Sequence, residues 1–164
     1  MAAGKTTIGR HLARELGLHF VDTDDAIVAR SGAIADIFAR GGERSFREAE
    51  YEAVRATLAG PLAVIALGGG ALTHPPTQAL LARSALRVYL AIPAETLTAR
   101  LRSSPTVRPL VGPTPTVERV RELLALREPA YRAADLIVGG PHRSKLAFAR
   151  GIVAALEAYV GPAK

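Results

Sequence analysis

The sequence predicts an α/β fold built on a central parallel sheet flanked by helices, and three observations lead there. Short apolar runs of strand length alternate with longer stretches of helical periodicity. The runs are largely apolar throughout, as strands covered on both faces require. No repeat, low-complexity tract or linker divides the 164 residues, so one domain over 1–164 is expected.

Taken in order, residues 6–16 place Ile8, Leu12, Ala13 and Leu16 on one helical face. Leu18-His19-Phe20-Val21 reads as the first strand, and a short helix through Ile27 follows it. Residues 43–58 form a helix carrying Phe46, Ala49, Ala53 and Val54, within a helical region over about 23–60. Strands are expected over 62–67, 86–90 and 136–138, and helices over 96–102, 117–134 and 144–160. Two stretches break the rhythm. Gly68-Gly69-Gly70 follows the second strand directly, and 103–116 holds Pro105, Pro109, Gly112, Pro113 and Pro115. The latter is too rich in proline for a helix interior and reads as a long surface loop, of the kind that serves as a lid.

Composition narrows the function classes. The chain has no Cys, which excludes a disulfide scaffold, a thiolate nucleophile and a Cys-ligated metal. No apolar run approaches the roughly 18 residues of a membrane span, and the start leads into charged sequence without an apolar signal region. A cytoplasmic protein without membrane partners is expected. The net charge is +6, and 18 of the 21 basic residues are Arg, the side chain suited to bidentate capture of carboxylate and phosphate. Coding bias, which raises Ala and Arg together, is the alternative explanation. Nucleic acid is not the expected partner, because the Arg residues are scattered and aromatics make up only 5%. Small anions are.

Ala3-Gly4-Lys5-Thr6-Thr7, leading into a helix, is the second half of a phosphate loop. Backbone N–H groups at the helix start would cradle phosphates, Lys5 would reach the β- and γ-phosphates, and the Thr6 hydroxyl would take Mg²⁺. The motif's first glycine falls two positions ahead of Met1, and the strand that should feed the loop is missing with it. A sheet without that strand would have a gap at its centre, flanked by unpaired N–H and C=O groups. The chain is therefore expected to be short at its N-terminus, through a misplaced start or a truncation, with poor stability and weak nucleotide binding if it begins here.

A second constellation carries acceptor chemistry. In Phe20-Val21-Asp22-Thr23-Asp24-Asp25, carboxylates stand at the C-terminal end of a strand, where ligands bind in open α/β sheets. Asp22 and Asp24 share a side if the strand continues; one could serve Mg²⁺ and the other orient a hydroxyl. Helix capping by Asp22 or Thr23 is the plainer explanation. Arg47 and Glu50 lie one turn apart, ordinarily a surface ion pair. Arg132 falls near a helix C-terminus and Arg108 in the Pro-rich loop.

The order of these motifs resembles the shikimate kinases, small members of the nucleoside-monophosphate-kinase-like P-loop group, over essentially the whole chain. It rests on Gly4 to Arg10, Phe20 to Asp24, Ile34 to Phe38, Gly42 to Glu50, Val64 to Gly70, Arg108-Pro109-Leu110 and Arg127 to Arg132. The resemblance implies a three-layer P-loop NTPase fold lacking its first strand, and a monomer that phosphorylates the 3-hydroxyl of shikimate with MgATP. It implies nucleotide contacts from Ala2, Ala3, Gly4, Lys5, Thr6, Thr7, Arg108 and Arg143, with Asp22 joining Thr6 at Mg²⁺. Asp24 would be the base or orienter, and Lys5 and Arg108 would act on the transferring phosphoryl group. Arg47 and Arg132 would clamp the carboxylate beside Gly68, Gly69 and Gly70, with Gly69 offering its backbone N–H. Arg100 or Arg102, with Arg143, are the candidates to pack on adenine. Ala2 stands where the family usually has Gly, which is tolerable if its φ is negative. A kinase for another hydroxy acid such as gluconate, and an inactive nucleotide-binding homologue, are the alternatives.

Overall fold

The computed structural model describes residues 2–104, 111–112, 114–140 and 144–161. Arg108 and Arg143, with half of the expected lid, lie outside the described residues.

The elements alternate as expected. Helix α1 (Lys5–Leu16) leads to β1 (His19–Asp22), α2 (Thr23–Ser31) and α3 (Ile34–Leu58). Strand β2 (Ala63–Ala66) is followed by a 3₁₀ turn (Ala71–Thr73), α4 (Pro75–Ser84) and β3 (Val88–Ala91). Helices α5 (Ala94–Arg102) and α6 (Val117–Arg132), strand β4 (Leu136–Gly139) and α7 (Lys145–Val160) complete the chain. Two helical stretches went unread in the sequence. Helix α4 starts on Pro75-Pro76, where proline's missing N–H costs nothing. Helix α3 runs back to Ile34 because two helices abut across a kink at Gly41 and Gly42, with the expected Glu43 start just beyond it.

Strands pair in parallel, but in two separate two-stranded sheets. In the first, His19 to Asp22 align with Ala63 to Ala66; in the second, Val88 to Ala91 align with Leu136 to Gly139. Arg87 ties the second pair together at its start, donating from Nε and Nη2 to the two Asp135 carboxylate oxygens, each at 3.0 Å. Those bonds hold the Asp135 carboxyl below its usual range.

Between β2 and β3 lies the expected gap. It is a cleft of about 700 Å³ walled by Val64, Ala66, Val88 and Leu90 of the strands and by Ile8 and Leu12 of α1. Its effect shows in burial: all four β3 residues and three of the four in β2 are only half-buried, where interior parallel strands are normally covered. The main core lies around the cleft, from Ile8 and Leu12 to Leu97, Val120, Phe148 and Ile152. A second, smaller core of Ile27, Ile37, Phe46 and Ala53 joins α2 to α3.

Ala2 does not meet the condition set for it. Its φ is +44°, in the left-handed region, where a Cβ costs about 1–2 kcal/mol. Ala2→Gly is therefore expected to stabilise the chain by about 1 kcal/mol, as an upward shift in the chemical-denaturation midpoint. An unchanged or lower midpoint would show that Ala2 is not strained.

Candidate functional site

Helix α1 begins on Gly4, whose φ of +86° turns the chain sharply into the helix, with no side chain capping the first turn. The earliest intrahelical bond of that end runs from Ile8 N–H to the Gly4 carbonyl at 2.8 Å. The N–H groups of Lys5, Thr6 and Thr7 therefore precede the helical ladder, at the positive end of the helix dipole, as a phosphate cradle requires. Ala3 and Lys5 lie on the wall of the cleft. Arg100 donates to the Ala2 and Ala3 carbonyls at 3.3 and 3.2 Å, so in this structure its guanidinium secures the phosphate-loop segment. Arg102 instead donates to the Pro115 carbonyl at 2.9 Å, across the span of the expected lid.

The Thr6 hydroxyl donates to Asp22 Oδ2 at 2.7 Å, while Asp22 Oδ1 accepts the Asp24 N–H at 3.1 Å. Asp22 thus caps α2 and holds the phosphate-loop threonine at once. The capping reading of Asp22 holds through Oδ1, while Oδ2 is engaged with the Thr6 hydroxyl. Asp24 corrects the sequence reading: strand β1 ends at Asp22, so Asp24 stands in the first turn of α2 and not on a continued strand.

Asp24 nonetheless reaches the glycine loop. A Cβ at Gly68 would lie 3.2 Å from Asp24 Oδ1 and would collide with Glu50 Oε1. A Cβ at Gly70 would collide with the Arg47 guanidinium. A side chain at either position would have to displace these charged groups from the loop. Thr23, fully buried, fixes its entry by accepting the Gly68 N–H at 2.9 Å and donating to the Ala66 carbonyl at 3.2 Å.

The Arg47–Glu50 pair is not at the surface. Arg47 Nη1 donates to Glu50 Oε2 at 2.6 Å, and the Glu50 side chain is 0% exposed against 15% for Arg47. Burial shields the pair from solvent, so removing one partner costs far more than at an exposed site, about 3–5 kcal/mol. Arg47 Nη2 also meets Glu43 at 3.1 Å. Arg47 Nε and Glu50 Oε1 are buried with no hydrogen-bond partner among the described residues, and Glu50 Oε1 lies against Gly68.

Burial pushes the Glu50 carboxyl above its ordinary value, and Arg47 pulls against that shift. A carboxyl whose folded pKa exceeds its unfolded one contributes stability fully below the unfolded value, about 4.5. That contribution is lost as pH rises through the folded value. The stability of the native chain relative to Glu50→Gln is therefore expected to fall as pH rises above about 4.5, read from paired thermal melts. A difference independent of pH would contradict it.

Arg132 sits in the last turn of α6, largely exposed, with its guanidinium on Glu128 of its own helix at 2.8 Å. Its side chain is thus engaged there and not with Arg47. The residues of α6 that do touch the loop are Arg127 and Tyr131, which both donate to the Gly69 carbonyl, at 3.1 and 2.5 Å. The sequence reading passed over both, although they stand inside a motif it used; their i,i+4 spacing was the available signal.

Among the described residues, no helix is long and apolar enough to cross a membrane. The family model for shikimate kinases matches residues 1–157. The shikimate kinase of Mycobacterium avium (strain 104) is 48% identical over 158 residues, covering 95% of this chain and 89% of that protein. That of Thermus thermophilus is 44% identical over 140 residues, covering 84% of this chain and 76% of that one. The structure of the Acinetobacter baumannii enzyme in complex with shikimate superposes with a TM-score of 0.87 at 34% identity, over 96% of this chain and 89% of that one. With sequence and fold alike matched from end to end, the chain belongs to the shikimate kinase family.

Proposed function

We propose that this chain phosphorylates the 3-hydroxyl of shikimate at the expense of ATP, giving shikimate 3-phosphate. The observation that carries the reading is the meeting of Asp24, Arg47 and Glu50 around Gly68 to Gly70. A hydroxy acid needs such a set: a cation for its carboxylate, a carboxylate for its hydroxyl, and donors from the loop. No observation favours gluconate or an inert homologue.

The residues present fit MgATP. Thr6 Oγ1 and Asp22 Oδ2 are paired hard-oxygen ligands beside the open start of α1, suited to Mg²⁺ directly or through water. When bound, the metal neutralises charge on the transferring phosphoryl group. The N–H groups of Lys5, Thr6 and Thr7, following Gly4, hold the phosphates, and the Lys5 ammonium adds positive charge there. Asp24 accepts a hydrogen bond from the acceptor hydroxyl at a carboxylate oxygen, aligning it for attack. Arg47 binds the acceptor carboxylate, already aimed by Glu50. Arg132 joins it by leaving Glu128, a cheap exchange because exposed ion pairs contribute about 0–1 kcal/mol. The lid over 103–116 supplies Arg108 to the phosphoryl group, and the chain works as a cytoplasmic monomer.

The test is a coupled assay with shikimate and MgATP, comparing the native chain with Arg47→Ala. Loss of the charge-assisted contact is expected to raise the shikimate KM by at least tenfold, with the ATP KM within about twofold. An unaltered shikimate KM would remove Arg47 from the clamp, and turnover of gluconate in place of shikimate would overturn the reading.

A further inference from the structure

The glycine loop is held by its carbonyls, in a way that leaves two amides available. The Gly68 carbonyl accepts from Ala71 N–H at 3.2 Å, and the Gly70 carbonyl from Thr73 N–H at 2.9 Å and the Thr73 hydroxyl at 2.7 Å. The Gly69 carbonyl takes both Arg127 and Tyr131 from α6. Gly68 N–H is spent on Thr23. The N–H groups of Gly69 and Gly70 have no acceptor among the bonds of the described residues.

A trans peptide is planar, so C=O of Gly69 and N–H of Gly70 point in opposite directions. Fastening that carbonyl to α6 therefore turns the Gly70 N–H away from α6. Glycine alone would not hold this orientation, because its backbone is the least restricted of any residue. Two donors on one oxygen supply the restraint. Tyr131 is itself braced by the Tyr89 ring of β3, with centroids 5.2 Å apart.

We propose that Arg127 and Tyr131 are positioning residues for the acceptor substrate, acting through the Gly69 carbonyl to aim the Gly70 amide. Its ligand is an oxygen of the bound hydroxy acid, so the proposal rests on the function given above. Neither side chain contacts the substrate; both set how well the loop is pre-organised to receive it.

The test uses the full chain with Tyr131→Phe, which keeps the ring against Tyr89, together with Arg127→Met and the double variant. Each single variant is expected to weaken shikimate binding about five- to tenfold, the worth of one hydrogen bond. ADP affinity should stay within twofold. The double variant should lose less than the product of the single losses, because both donors act on one oxygen. Amide exchange gives an arm independent of ligand: the N–H groups of Ala71 and Thr73, bonded to the Gly68 and Gly70 carbonyls, should exchange at least tenfold faster in the double variant. Unchanged exchange together with unchanged shikimate affinity overturns the proposal, as does an equal loss of ADP and shikimate affinity. Should the native chain bind no shikimate, the function reading fails, and the exchange arm still decides whether the two side chains hold the loop.

Discussion

An apolar strand of five or six residues, joined ahead of Met1 and ending in a glycine two positions before it, is expected to raise the melting temperature by roughly 10–15 °C, about 3–5 kcal/mol in a chain of this size. The cleft between β2 and β3 has the required form: apolar walls, two strands of parallel pairs facing it, and Ala3 at its wall. A strand seated there would pair with β2 on one side and β3 on the other, satisfying edge groups that now face the cleft. It would also cover Val64, Val88 and Leu90, at about 25 cal/mol per Å² of apolar surface removed from water. The control is the same extension with two prolines in the strand, which cannot pair. Equal stabilisation by both extensions would show that the gain comes from something other than a seated strand.

Lys5→Ala in the strand-extended chain is expected to lower kcat by about a thousandfold, or ~4 kcal/mol. Phosphoryl transfer depends chiefly on positioning and on charge placed where charge develops, and Lys5 is the cation at the start of α1. Shikimate affinity should move less than twofold, because the acceptor groups come from α2, α3 and the glycine loop, apart from α1. Kinetics and direct binding measured on one preparation separate the two effects. Retained turnover would take Lys5 out of the mechanism.

The parts of the site legible in the sequence are those written in contiguous residues. Gly4-Lys5-Thr6, Phe20 to Asp24, Phe46 to Glu50 and Gly68 to Gly70 each carry a local signal, and each lies at the site. Helix α4 carries a local signal of its own, since proline in a first turn marks a helix start. In the sequence Glu50 reads as a surface partner, because i,i+3 spacing says nothing about what covers a helix face. The cleft between β2 and β3 was legible by counting alone, since the phosphate-loop motif has a fixed length.

The sequence by itself determined the alternation of elements, the order of the chemical motifs and the gap at the centre of the sheet. All three depend on neighbours in the chain. Only the tertiary structure decided that Glu50 is sealed from water, that Asp22 bonds to both Thr6 and the α2 backbone, and that Arg127 and Tyr131 grip Gly69 from about sixty residues away. Desolvation and shared acceptors arise where distant segments meet, and no local pattern of residues encodes that meeting.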